Sequence, residues 1–223
     1  MRRLALIAVL LWPAGTLFAA SATLLRSTAP SRLVLEGSSN VTGWRCSGTA
    51  IDGRMAVAAP LERINDVIDR IEDGDIARWM ANPSAARFPQ PDLQLRVPVS
   101  ALRCGNRQME RDMYRALRSA EYPMIEFRFT NLVGAVNHDI DARSYHATIA
   151  GVLSLAGASR TVTLQVSAER LARDRLRLRA RLPLRMTDFR VTPPTALLGM
   201  VKAKDELVVE FELIMQAAAE SQS

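Results

Sequence analysis

The sequence predicts a mainly β fold: an antiparallel barrel of about eight strands with short helical insertions. Three observations carry this. Between His146 and Met186, three successive segments alternate apolar and polar residues. The turns between them are tight. Six further segments with the same period of two are spread over the rest of the 223 residues. Such alternation marks a strand with one wet face and one buried face, and tight turns make consecutive strands antiparallel. Eight to ten strands with one apolar face each must close or stack. A closed barrel of roughly eight has room inside for side chains or one small ligand.

The elements follow in chain order. Arg2-Arg3, the apolar run Leu4 to Trp12 and the small residues Ala20-Ser21-Ala22 predict a signal peptide over residues 1–22. The apolar run is short for a membrane span, although Ala14 to Ala22 stays apolar enough that an uncleaved anchor is the alternative. Export would place the mature chain in the periplasm. Residues 23–31 read as a flexible lead-in. The barrel domain is expected over 32–216, and 217–223 as a disordered polar tail.

Arg32 to Ser38 and Val41 to Ile51 alternate as the first two strands. Asp52-Gly53 is a hairpin signal that should return Arg54 to Ala58 as a third. A helical insert at about 60–82 follows. Pro60 suits a first helical turn, and Leu61, Ile64, Val67, Ile68 and Ile71 recur at helical spacing up to Gly74. Ile76, Trp79 and Met80 suggest a short second helix stopped by Asn82-Pro83. Asp92 to Val99 alternates again, and Pro98 argues for an edge or bulge there. Arg111 to Ala120 reads as helix. Tyr122-Pro123 forces an extended start to the strand Met124 to Leu132, with Ile125, Phe127 and Phe129 inward. The three-stranded meander of the opening observation comes next, with its first turn at Ala156-Gly157-Ala158-Ser159 and its second at Arg173-Asp174. Thr187 to Met200 is a Pro-rich loop, and Glu206 to Met215 is the last strand, with Leu207, Val209, Phe211 and Leu213 inward.

Composition narrows the function classes. The hydrophobic fraction of 48% is ordinary for a globular chain, and the net charge is +6. With aromatics at 5% and no basic-aromatic stripe, nucleic-acid binding is not expected. Cys46 and Cys104 are the only cysteines. In an exported chain an even count favours a disulfide, worth about 3–4 kcal/mol by the loop-entropy model; two separate buried thiols are the alternative. His138 and His146 are the only histidines, and nothing brings a third metal ligand to them. No Gly-rich phosphate loop or nucleophile elbow is present, and Asp188 has no histidine near it in sequence. The sequence therefore predicts no catalytic residues, no metal and no enzyme. The simpler role for Asp188 is capping its own loop.

Three stretches resemble the YceI-like family of exported, lipocalin-like, polyisoprenoid-binding proteins. They are Met113-Tyr114-Arg115-Ala116-Leu117 running into Pro123-Met124-Ile125-Glu126-Phe127; Gly151-Val152-Leu153-Ser154-Leu155-Ala156-Gly157 with Ser159-Arg160-Thr161-Val162; and Met186-Thr187-Asp188-Phe189 with Pro193-Pro194 and Leu198-Gly199. Together they span roughly Leu33 to Met215. The insert at Leu61 to Met80 departs from the shortest members. The resemblance implies a lipocalin-like barrel whose cavity carries or sequesters a long isoprenoid, either a quinone or a prenyl lipid, with no other cofactor. The inward-facing residues are aliphatic or Phe, which suits an oily tail.

Phe127, Phe129, Ile149, Leu153, Leu164, Leu178 and Phe211 are the candidate cavity lining. Parity separates inside from outside but not cavity from packed core. The alternative is a filled barrel, a non-enzymatic interaction protein with its partner surface on the 61–80 insert. The arginine row at 175, 177, 179 and 181 could meet anionic head groups at a membrane surface; the blander reading is a solvated outer face.

Overall fold

The computed structural model describes residues 22–62, 91–133, 137–139 and 144–218. Its strands are β1 (Thr23–Ser39), β2 (Gly43–Gly48), β3 (Asp52–Val57), β4 (Asp92–Pro98), β5 (Met124–Leu132), β6 (Asn137–Asp139), β7 (Ser144–Leu155), β8 (Ala158–Ala172), β9 (Arg175–Arg185), β10 (Thr195–Ala196) and β11 (Val201–Ala217). Eight of them form the wall in the order β1-β3-β4-β5-β7-β8-β9-β11, and β11 pairs back onto β1 to close it. All pairings are antiparallel. Closure pairs the first strand of the wall with the last, which answers most of the edge-strand problem that eight amphipathic strands pose. The short strands β2, β6 and β10 flank β1, β7 and β11 respectively.

The meander β7-β8-β9 has its turns where the sequence predicts them. Leu155 pairs with Ala158 across a two-residue turn, and Ala156 and Gly157 have φ of 50° and 75°. Two positive φ values in a row match the twist of the flanking strands.

Five expectations need correction or limits. The segment 23–31 is not a loose lead-in but the first half of β1. Leu25 pairs with Met55 and with Ala217 and is 2% exposed. Ser-Thr-Ala-Pro reads locally as loop, but pairing on both sides overrides it. A bulge at residues 29–31, which includes a cis Ala29–Pro30 bond, interrupts the ladder. Ser31 Oγ repairs it by accepting from Ile214 N at 3.0 Å.

Asp52-Gly53 does not make a hairpin. β1 is long enough to pair with β3 over Thr23–Arg26 and with β2 over Leu33–Ser38, so β2 and β3 sit end to end beside it. Gly53 lies inside β3, opposite Leu95. The helix, α1 (Arg107–Ala116), begins four residues before the expected start, because Asn106 caps it by accepting from the Gln108 and Met109 amides. It ends before Arg118, which has φ 50°. At the far end, Ala217 still belongs to β11, and the Ala218 amide donates to the Leu24 carbonyl. The insert at Leu61 to Met80 lies outside the described residues apart from positions 61 and 62, as do residues 219–223.

Inside, the two ends differ. At one end Leu25, Met55, Leu93, Ile149, Leu178 and Met215 pack into one buried cluster. At the other the interior is hollow.

Candidate ligand cavity

The hollow end holds a cavity of about 430 Å³, within the usual range for small-molecule sites. Inward residues of the wall build it. Leu33 and Leu35 come from β1, Leu95 and Val97 from β4, Ile125 and Phe127 from β5, and Leu182 and Leu184 from β9. Leu207, Val209 and Phe211 from β11 complete the ring. Strand periodicity alone puts these side chains inside.

Two elements roof it. α1 lays Met109, Met113, Ala116 and Leu117 over the cavity, one stripe at helical spacing. The 3-10 turn Met186–Phe189 contributes Met186 and Phe189. The roof is tied down. Cys46 of β2 is bonded to Cys104, just ahead of α1, as the cysteine count predicted. Arg103 and Ser47 exchange backbone hydrogen bonds at 2.8 Å beside that bridge.

The 3-10 turn fills a gap in the wall. β8 and β9 pair only from Gln165/Arg181 to Ala172/Arg175, so their other ends diverge. Phe189, 2% exposed, sits where they part, between the cavity and a shallow outer groove. Arg160 Nε donates to the Asp188 carbonyl at 3.0 Å from the β8 side. From β11, Asp205 accepts from the Thr187 amide at 2.9 Å and the Thr187 hydroxyl at 2.7 Å, and from Arg185 Nε at 3.1 Å. The Thr187 hydroxyl and amide, with Arg185, hold the Asp205 carboxyl below its ordinary value of 3.8. The carboxylate that caps this turn is thus Asp205 and not Asp188. Eighteen residues separate it from Thr187, and no local motif announces it.

Among the predicted lining residues, Phe127, Leu153, Leu164 and Phe211 border the cavity. Phe129, Ile149 and Leu178 do not. They face inward, as parity requires, but lie a layer deeper in the packed end. A barrel filled along its whole length is not what the structure has. Trp44 of β2 also borders the cavity and escaped sequence reasoning. Its ring lies on Gly37, its cross-strand partner, where a β-carbon would come within 2.2 Å of the indole. Its Nε1 is buried without a hydrogen-bond partner among the described residues. The lining is otherwise apolar, with Asn106, Gln108, Asp112 and Arg185 among its few polar members.

Three of the four arginines in the outer row, at 177, 179 and 181, are engaged with carboxylates. Arg177 meets Glu169 at 2.9 Å and Glu212 at 3.2 Å, Arg179 meets Glu212 at 3.1 Å, and Arg181 meets Glu210 at 3.2 Å. Register explains this, because Glu212 pairs with Arg179 and Glu210 with Arg181 across β9 and β11. The histidines do not face one another in register: His138 pairs with Tyr145, and His146 with Asn137. Among the described residues no group of three metal-ligating side chains converges.

Comparison with solved structures gives the same architecture. A polyisoprenoid-binding domain from Saccharophagus degradans, implicated in plant cell wall breakdown, superposes with a TM-score of 0.58 at 13% identity. The match covers 87% of this chain and 98% of that one. BcnA from Burkholderia cenocepacia superposes with a TM-score of 0.54 at 14% identity, over 82% of this chain and 94% of its own. At such identities the likeness shows the fold. No curated protein matches the sequence. The family model of the YceI-like domain matches residues 48–215, three quarters of the chain. The chain is a member of the YceI-like family.

Proposed function

We propose that the protein is a periplasmic, non-enzymatic carrier or sequestering protein for a long-chain isoprenoid, either a quinone or a prenyl lipid, with the tail held in the barrel cavity. One observation carries this: an apolar cavity of about 430 Å³ in the roofed end of a closed barrel. An oily tail enters such a space by losing contact with water, at about 25 cal/mol per Å² before binding costs. The similarity to a domain described as polyisoprenoid-binding supports the choice of cargo. The Cys46–Cys104 bond suits an oxidising compartment, and with the N-terminal charge and apolar pattern it supports export. The buried Trp44 N–H, unpartnered among the described residues, is a donor that a quinone carbonyl could satisfy. Native mass spectrometry of protein purified from its source without delipidation tests the reading. A retained mass matching an isoprenoid is expected. Repeated recovery of an empty barrel overturns it.

A further inference from the structure

We propose that the rim of the barrel where the β1–β2 and β10–β11 segments border the cavity is a docking prong that seats the protein on an anionic lipid bilayer. The inference rests on the carrier reading for its purpose, since cargo of that kind resides in membranes.

Among the described residues, the three most exposed large apolar side chains are Leu198 at 104%, Val41 at 69% and Met200 at 67%. They stand together. Val41 lies in the β1–β2 loop, and Leu198 and Met200 lie between β10 and β11. Asn40 clips the two segments to each other. Its Nδ2 donates to the Met200 carbonyl at 2.9 Å, its Oδ1 accepts from the Lys202 amide at 2.8 Å, and its own amide donates to the Lys202 carbonyl at 3.0 Å. Leu198 has φ 54°, a left-handed conformation that a branched side chain rarely adopts. The fold thus spends conformational preference to hold a leucine in water. The same two segments border the cavity, through Ser39, Thr42 and Gly43 on one side and Thr195, Ala196 and Val201 on the other.

Charge selects the partner. Lys202 and Lys204 are exposed beside the prong and make no ion pair among the described residues. The nearest acids on the same strand are engaged, Asp205 with Arg185 and Thr187, and Glu206 with Arg185 at 3.8 Å. This contrasts with Arg179 and Arg181 of β9, which pair with the β11 carboxylates of Glu212 and Glu210. An apolar tip with unmatched lysines beside it suits a bilayer with anionic head groups, and a membrane contact belongs here and not on the arginine row. Seating this rim would bring the segments that border the cavity against the bilayer, which shortens the path of a tail between them.

Vesicle flotation tests the proposal. The detergent-free protein is mixed with vesicles of phosphatidylethanolamine and phosphatidylglycerol, and in parallel with phosphatidylcholine alone. Wild type should float with the anionic vesicles, less so in high salt. The triple variant V41S/L198S/M200S and the pair K202E/K204E should each lose about tenfold or more of that binding, with unchanged melting temperature. A triple variant that floats like wild type, or a wild type that stays soluble at low salt, overturns the proposal. So does a concentration-dependent dimer that the same substitutions abolish, which would assign the prong to a second copy. The carrier reading is tested separately: the triple variant should still retain its lipid in native mass spectrometry, and an empty wild-type barrel would sink that reading whatever the vesicles show.

Discussion

Gly151 has no room for a β-carbon. One placed there would lie 2.3 Å from the Phe127 ring and 2.6 Å from the Arg128 carbonyl, which belongs to the neighbouring strand and cannot step aside. Gly151→Ala should therefore cost about 1–3 kcal/mol or more, read as a lower melting temperature. At Gly37 the three atoms nearest a β-carbon all belong to the indole of Trp44, a side chain that borders the cavity and so has space beside it. Gly37→Ala should leave the melting temperature nearly unchanged while shifting tryptophan fluorescence and weakening lipid retention. Asp205 gives the pH prediction. Its folded-state pKa is depressed, so its support of the 3-10 turn is present above the ordinary Asp range and is lost as pH falls through the lowered value. A carboxyl-carbon NMR titration should place Asp205 below 3.8, and Asp205→Asn should remove the acid dependence of the Phe189 signals. At this scale parity made inward residues legible, since all seven candidate lining residues do face inward. It could not tell Phe127 from Phe129, because depth along a barrel is set by the register of every strand at once. Trp44 and Asp205 stayed hidden because what gives them meaning lies across the sheet.

α1 and the disulfide act as one element, a lid strapped to β2. A separation of 58 residues between Cys46 and Cys104 predicts that Cys46→Ser/Cys104→Ser loses on the order of 4 kcal/mol. Chemical denaturation should show it, and lipid retention should fall further than stability alone explains, because the roof loses its tether. The β9–β11 charge ladder behaves differently. Its members are partly exposed, so Arg181→Ala should cost less than about 1 kcal/mol, and a denaturation midpoint nearly equal to wild type checks that. Strands with clean alternation, β4, β5, β7, β8, β9 and β11, were legible. β1 was half legible, because Leu24 and Leu25 gain their role only from partners some thirty and nearly two hundred residues away. The Asp52-Gly53 signal misled because a turn dipeptide describes local preference, whereas one long strand offered two berths side by side. α1 was found in kind but misplaced at its start, where Asn106 outweighed the apolar periodicity.

The molecule as a whole is a closed wall with one solid end and one hollow end, and substitutions should sort by end. Val209→Trp, in the hollow end, should abolish lipid retention in native mass spectrometry while leaving the melting temperature equal or higher, because it fills space the fold does not need filled. Leu178→Ala, in the solid end, should cost about 2–5 kcal/mol and leave the lipid occupancy of the folded fraction as in wild type. Closure and strand number were legible from the count of amphipathic segments; how much of the interior is empty was not, since periodicity says nothing about volume. The division of labour between the two ends has a practical consequence. Because the packed half supplies most of the cohesion, side chains bordering the vacant half can be exchanged at little cost to the scaffold. Reshaping the void is therefore a separable engineering problem from keeping the wall standing.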